Sequence, residues 1–169
     1  MAILKLNNTT VITETSGVAS IANTVKFPAG HPYSIKVYTQ TTGSGNTNSS
    51  TGIGFGPVRS VSLDAGENVL ITISGGTIYY NGNAQCLAGI QYDTSTLNTA
   101  TQGTIVFNTM DQESSTSANY NVFAHYEFTY TASSSLTLYY RPAVGNGNSR
   151  TSNWYTPYDS IKITEIKFL

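Results

Sequence analysis

Apolar and polar residues alternate along most of this chain with a period of two, the pattern of half-buried strands rather than of helices. The longest run lies between Tyr120 and Tyr130. One face carries Tyr120, Val122, Ala124, Tyr126, Phe128 and Tyr130, and the other Asn121, Phe123, His125, Glu127 and Thr129. This predicts one long strand with an apolar inward face. "SIKVYTQ" sets Ile35, Val37 and Thr39 against Lys36, Tyr38 and Gln40. The stretch from Val58 to Asp93 predicts three or four strands, with turns at Asp64-Ala65-Gly66, Ser74-Gly75-Gly76 and Asn81-Gly82. "GTIVFNT" reads as a further strand, and "SLTLYYRP" as one pairing in a hairpin with the long strand. In "SIKITEIKFL", Ile161 and Ile163 share one parity and Ile166 and Phe168 the other. The change at Thr164-Glu165 predicts a β-bulge, or a strand whose halves bury different faces. So apolar a strand should lie inside a sheet.

Three polar stretches interrupt the pattern. "TTGSGNTNSSTGIGFGP" is too long for a tight turn and reads as an exposed loop, as do "DQESSTSAN" and "AVGNGNSRTSNWYTPYDS". Residues 1–27 have a different texture. Leu4, Val11, Val18 and Val25 recur every seventh position, yet Asn7-Asn8, Thr9-Thr10 and Ser16-Gly17 are turn formers and β-branched residues dominate the rest. The segment therefore reads as an extended N-terminal arm of very short strands, followed by a turn or linker over 28–33 and a head domain over 34–169. Such short strands cannot bury a face alone and need copies of themselves or a partner.

Composition narrows the class. Ser, Thr and Asn make up about a third of the 169 residues, with 12 Tyr and 15 Gly, and only 10% are charged against roughly 25% in ordinary domains. Aromatic and β-branched residues are too abundant for a disordered chain. About eight strands and no convincing helix predict an all-β protein, a jelly-roll-like antiparallel β-sandwich. The eight Lys and Arg are scattered, which argues against nucleic acid, and no apolar run is long enough for a membrane helix. The start lacks a signal-peptide core and Cys86 is alone, so synthesis in a cytoplasm and a buried structural thiol are expected. So little charge favours self-association, and a homotrimer suits an arm of repeated short strands.

Candidate chemistry is sparse. His125 and Glu127 fall on the outward face of the long strand, where they read as a polar pair or a subunit contact. A metal site would need further ligands, and the one other histidine, His31, sits in a turn before a proline. Asp111 with Glu113, or Glu127 alone, are the only carboxylates to consider for a polysaccharide-cleaving pair, and neither has a supporting context. The expectation is no enzyme, no cofactor and no metal. Trp154, Tyr155 and Tyr158 stand among Asn, Ser, Thr and Asp, a grouping suited to a glycan or to an interface.

Two short motifs carry a likeness. Phe27-Pro28-Ala29-Gly30-His31 and the closing Ile161, Ile163, Glu165 and Ile166 resemble virion proteins of tailed bacteriophages, notably cyanophages and other marine phages. That resemblance implies a trimeric structural protein of the particle, with an arm or shaft leading into a jelly-roll-like head. With only about 27 residues before the head, a capsid decoration (cement) protein or head fibre is expected rather than a long tail fibre. The arm residues Leu4, Leu6, Val11, Val18, Ile21 and Val25 would then contact the major capsid protein, placing the chain on the capsid surface of the virion. The alternative is a trimeric tail-fibre or receptor-binding module that recognises host surface glycan through Trp154, Tyr155 and Tyr158.

Overall fold

The computed structural model describes residues 2–6, 9–15, 18–21, 30–43, 45–47, 51–81, 85–112, 119–146, 152–155 and 160–168. Among these there is no helix. Strands β1 (Ala2–Leu6), β2 (Thr9–Thr15) and β3 (Val18–Ile21) form an antiparallel sheet in chain order. The head contains β4 (Pro32–Gln40), β5 (Gly45–Thr47), β6 (Ile53–Gly54), β7 (Arg59–Leu63), β8 (Asn68–Asn81), β9 (Gln85–Asp93), β10 (Thr104–Gln112), β11 (Asn119–Thr131), β12 (Leu136–Asn146), β13 (Ser152–Tyr155) and β14 (Ile161–Phe168). One head sheet runs β10-β9-β12, with β7 and β6 end to end along the far side of β12. The other has β8 at its centre, with β11 along one side and β14 and β13 end to end along the other. Beyond these lie β4 and β5. All pairings are antiparallel, and the fold is a jelly-roll-like β-sandwich, as the alternation predicts.

The two inner faces meet in one apolar core. Val61, Leu63, Ala88, Ile90, Leu138 and Tyr140 face Val69, Ile71, Ile73, Ala124, Ile161 and Ile163, all buried. At one seam between the sheets Tyr92 of β9 packs on Phe128 of β11, ring centroids 4.6 Å apart, with Tyr130 6.1 Å from Tyr92. Along β11 the expected inward face holds where side chains are described: Ala124 and Tyr126 are buried, and Phe128 and Tyr130 pack against the core.

Four local expectations fail, each for a physical reason. Ser74-Gly75-Gly76 is not a turn. β8 runs straight through it, and Gly75 and Gly76 adopt φ of 99° and 71° in a bulge opposite Ala124. β12 does not form a hairpin with β11 but lies in the opposite sheet. The connection after Thr131 crosses the sandwich beside the β7–β8 turn, and the two arches are stitched by Gly66 N to Ala132 O (2.7 Å) and Ala132 N to Glu67 O (2.9 Å). The stretch at 41–57 is not a purely exposed loop, since it forms β5 and β6 and buries Gly45, Gly52, Gly54 and Phe55. β14 keeps regular register through Thr164-Glu165, and its irregularity falls at Lys167/Phe168. Its inward parity is Ile161, Ile163 and Glu165, so the third inward position is a buried carboxylate. The strand does lie inside its sheet, between β4 and β8.

Polar groups fasten the ends of the sandwich. The Glu165 carboxylate accepts from the Tyr140 hydroxyl at 3.0 Å and faces Lys36 Nζ at 3.5 Å, on the paired position of β4. Burial, and then the adjacent Glu165 charge, pushes the Tyr140 hydroxyl far up, so it remains a donor. At the N-terminal end of β4, Glu67 in the β7–β8 turn accepts from the Tyr33 hydroxyl and, at 2.8 Å, from the Asp64 amide. Lys167 Nζ stands 3.0 Å from Glu67 Oε2 and lies over the Tyr33 ring at 4.9 Å. One carboxylate thus ties β4, β14 and the β7–β8 turn.

Burial alone would raise the Glu67 carboxyl, but the donors Tyr33, Asp64 N–H and Lys167 outweigh it and hold the group below the usual glutamate range. A lowered folded value means its stabilisation is complete above the ordinary glutamate pKa and fades as pH falls through the lowered one. Glu67→Gln should lower stability by about 2 kcal/mol at neutral pH. It should also flatten the acid limb of stability against pH. Denaturant melts between neutral and acidic pH measure both effects.

Candidate interaction surfaces

The N-terminal sheet is small, with strands of 5, 7 and 4 residues. Its register sets Leu4, Ile12 and Ile21 in one row across all three strands. Lys5 pairs with Thr10 and Leu4 with Ile12, so Val11 is the extra residue of a bulge. Leu6 pairs with Thr9 and Val18 with Thr15. Ile3 is about half exposed. Val25 lies outside the described residues, as do Phe27, Pro28 and Ala29. Among the described residues these strands hydrogen-bond only with one another, which leaves one edge of β1 and one of β3 unpaired. A sheet this small is marginal without a second layer.

On the head, the outer face of the β8 sheet is a second surface. One register row across β4, β14, β8 and β11 holds Ile35, Ile166, Leu70 and Thr129. The next holds Val37, Thr164, Thr72 and Glu127, and the third Thr39, Lys162, Ser74 and His125. Ile35 and Val37 are each 62% exposed, while Tyr38 and Gln40 take the inward positions of β4. The alternation of "SIKVYTQ" shows two faces without showing which is buried. Lys36 decides it here, because its parity is required to meet the inward Glu165. Two β-branched apolar residues are consequently left outside on a strand that, among the described residues, pairs on one side only.

His125 and Glu127 are neighbours on this outer face, with Nε2 3.5 Å from Oε1 and both side chains about half exposed or more. They form a solvated pair, and among the described residues no nucleophile or further ligand joins them. Among the described residues no group of three or more His, Cys, Asp or Glu is placed to hold a metal ion. Asp111 falls in β10, opposite Cys86 of β9, and Glu113 lies outside the described residues. His31 is exposed just before β4. Trp154 and Tyr155 are not in a loop. They belong to β13, where Trp154 pairs with Ile78 of β8 on one side and Gly45 of β5 on the other, and Tyr155 pairs with Thr77. Tyr158 lies outside the described residues. Among the described residues no helix is long and apolar enough to cross a membrane.

No protein-family model matches this chain, and no curated protein matches it in sequence. Among solved structures it is similar to the infectious bursal disease virus Gx strain, with 10% identity over 99% of this chain and 45% of that one, at a TM-score of 0.35. It is likewise similar to a mutant VP2 protein of infectious bursal disease virus in derived T=1 particles, with 7% identity over 98% and 43% of the two chains and a TM-score of 0.33. The chain spans less than half the length of these structures.

An exposed pair of this kind contributes little to stability. The double variant His125→Ala/Glu127→Ala should shift unfolding by less than about 0.5 kcal/mol. A loss of assembly by that variant, with stability intact, would show the pair to be a subunit contact.

Proposed function

We propose that this chain is a structural protein of a tailed-phage virion, a homotrimeric capsid decoration (cement) protein that grips the shell through its N-terminal strands. The observation that supports this most directly is the three-stranded sheet at the N-terminus. It has an apolar row, Leu4–Ile12–Ile21, and among the described residues two unpaired edges, and it is too thin to be stable without a covering layer. A major capsid protein supplies that layer in this reading. Edge strands β1 and β3 offer backbone donors and acceptors to extended segments of the shell, while the arm's apolar residues meet shallow grooves. The phage-like motifs at both ends of the chain point the same way.

Three arms joined by one head convert weak single contacts into a durable clamp, because the second and third engagements occur at high effective concentration. A partner that binds only the assembled shell stabilises it by mass action. The head itself fits a self-associating role: it carries few charges and leaves Ile35 and Val37 exposed on an edge strand.

Removing residues 1–27 should leave a folded trimer whose binding to capsids falls by roughly 100-fold or more. The full-length variant Ile12→Asp should behave in the same way. Co-sedimentation with shells stripped of this protein, alongside light scattering of the free protein, measures both. Undiminished binding by the truncated chain would refute the arm model, and so would imaging that finds the protein at the tail alone.

A further inference from the structure

The outer face of the β10-β9-β12 sheet is not open like that of its partner, because residues 94–103, the link from β9 to β10, fold back over it. Gln91 is fully buried beneath this link, and its amide nitrogen donates to Thr99 O at 3.1 Å and to Gln102 O. Arg141 of β12 donates through Nε to Gln91 Oε1 at 2.6 Å and through Nη2 to Thr99 O. Within the link, Gln102 Nε2 donates to Thr96 O at 2.9 Å, and Gln102 Oε1 accepts from Asn98 N at 2.8 Å. Gly54 N donates to Ala100 O at 2.8 Å, which ties the link to β6, and Leu97 of the link is itself buried. A buried amide and a guanidinium are thus committed to holding a surface loop in one shape. That is the preorganisation a binding wall requires.

Beside this wall opens a groove of about 370 Å³, lined by Thr51, Gly52, Thr101, Gly103, Ile105 and Phe107. Its floor is made by the Phe107 ring. The ring leans from β10 across β9 to β12, and β-carbons at Gly52, Gly89 or Gly145 would each run into it. Three glycines therefore give the ring room to lie against the sheet, half-buried and still lining the groove. Ile105 continues the apolar floor, and the threonines and the backbone of Gly52 and Gly103 make a polar rim. Among the described residues no charged side chain lines it.

We propose that this groove binds a neutral pyranose sugar. An aromatic ring with an adjoining aliphatic side chain suits the C–H face of a pyranose, and hydroxyl and backbone groups at the rim suit its equatorial hydroxyls. The absence of charge from the lining disfavours phosphates, carboxylates and amines. The volume falls at the low end for small-molecule sites and fits one or two sugar units. With a phenylalanine as the aromatic floor, single-site binding is weak, in the millimolar range, and several copies on one particle raise it by avidity. Trp154 is not among the residues that line the groove, and the proposal does not depend on whether the protein sits on capsid or tail.

The test is saturation-transfer-difference NMR on the full-length protein with the methyl glycosides of glucose, galactose, mannose and N-acetylglucosamine, each at about 10 mM. At least one should receive transfer, strongest on the protons of one ring face. Phe107→Ala should cut that transfer roughly tenfold. Thr101→Trp fills the groove from an exposed position and should abolish it, while Trp154→Ala should leave it unchanged. Melting curves identify any variant that fails to fold, and Thr101→Trp keeps the test decisive if Phe107→Ala does. Absence of transfer from all four glycosides overturns the proposal. So does transfer that survives Thr101→Trp, or transfer lost in a folded Trp154→Ala.

Discussion

The head depends on one extra residue in its central strand. Along β8, Val69, Ile71 and Ile73 point inward at odd positions, and after the bulge the buried residue is Ile78, at an even one. Without that change of parity the second half of β8 would turn its isoleucine outward. Gly75 and Gly76 make it possible. Both lie at positive φ, and a β-carbon on Gly75 would stand 2.5 Å from Ser160 O just ahead of β14. The same strand then serves two partners on one edge, β14 with its first half and β13 with its second, while β11 follows it for its full length. A sheet organised in this way supplies both the inner wall of the core and the continuous outer face on which Ile35 and Val37 stand.

The individual strands were legible in the sequence because period-two alternation is a local property. β11 is the clearest case, down to the outward pairing of His125 with Glu127. What alternation does not encode is partner choice. "ASSS" suits a tight turn, yet the chain there crosses to the other sheet, and the hydrogen bonds that fix the crossing come from the Gly66-Glu67 turn more than sixty residues earlier. Glycines misled for a related reason. A glycine admits a turn, but it also admits a close neighbour, and Gly54, buried against Gln91 and Arg141, serves the second purpose. The groove was invisible in the sequence because Ile105 and Phe107 meet Thr51 and Gly52 only through long-range pairing. Trp154 stood out as an aromatic among polar residues, and the same residues "SNWY" form a strand because β8 and β5 both offer it an edge.

Charge is scarce, and several of the charges present are tied up in the architecture. Glu67 and Lys167 hold the β7–β8 turn to β4 and β14, Glu165 engages Tyr140 and Lys36, and Arg141 is held by Gln91 and Thr99. Arg59 lies over the Tyr38 ring at 4.5 Å. Burial lowers the Arg141 guanidinium from its ordinary value, yet it stays charged at neutral pH and donates to two acceptors at once. With these ions engaged, the outer face of the β8 sheet carries Ile35, Val37, Leu70, Ile166 and four threonines, beside Glu127, Lys162 and His125.

That division has a consequence for how such a protein associates. Contacts between opposite charges weaken as salt screens them, with a range near 10 Å at 0.1 M, whereas hydrogen bonds from backbone edges and apolar burial are much less sensitive to salt. A neutral surface gives up electrostatic steering and the fast association it brings. In exchange, two copies meet without like-charge repulsion and can hold together across changes in salt. Attachment of the kind proposed above would then draw its strength from number and geometry rather than from charge. An all-β chain with one sharply positioned bulge and sparse seam charges has backbone edges and apolar faces, rather than charge, to offer a partner.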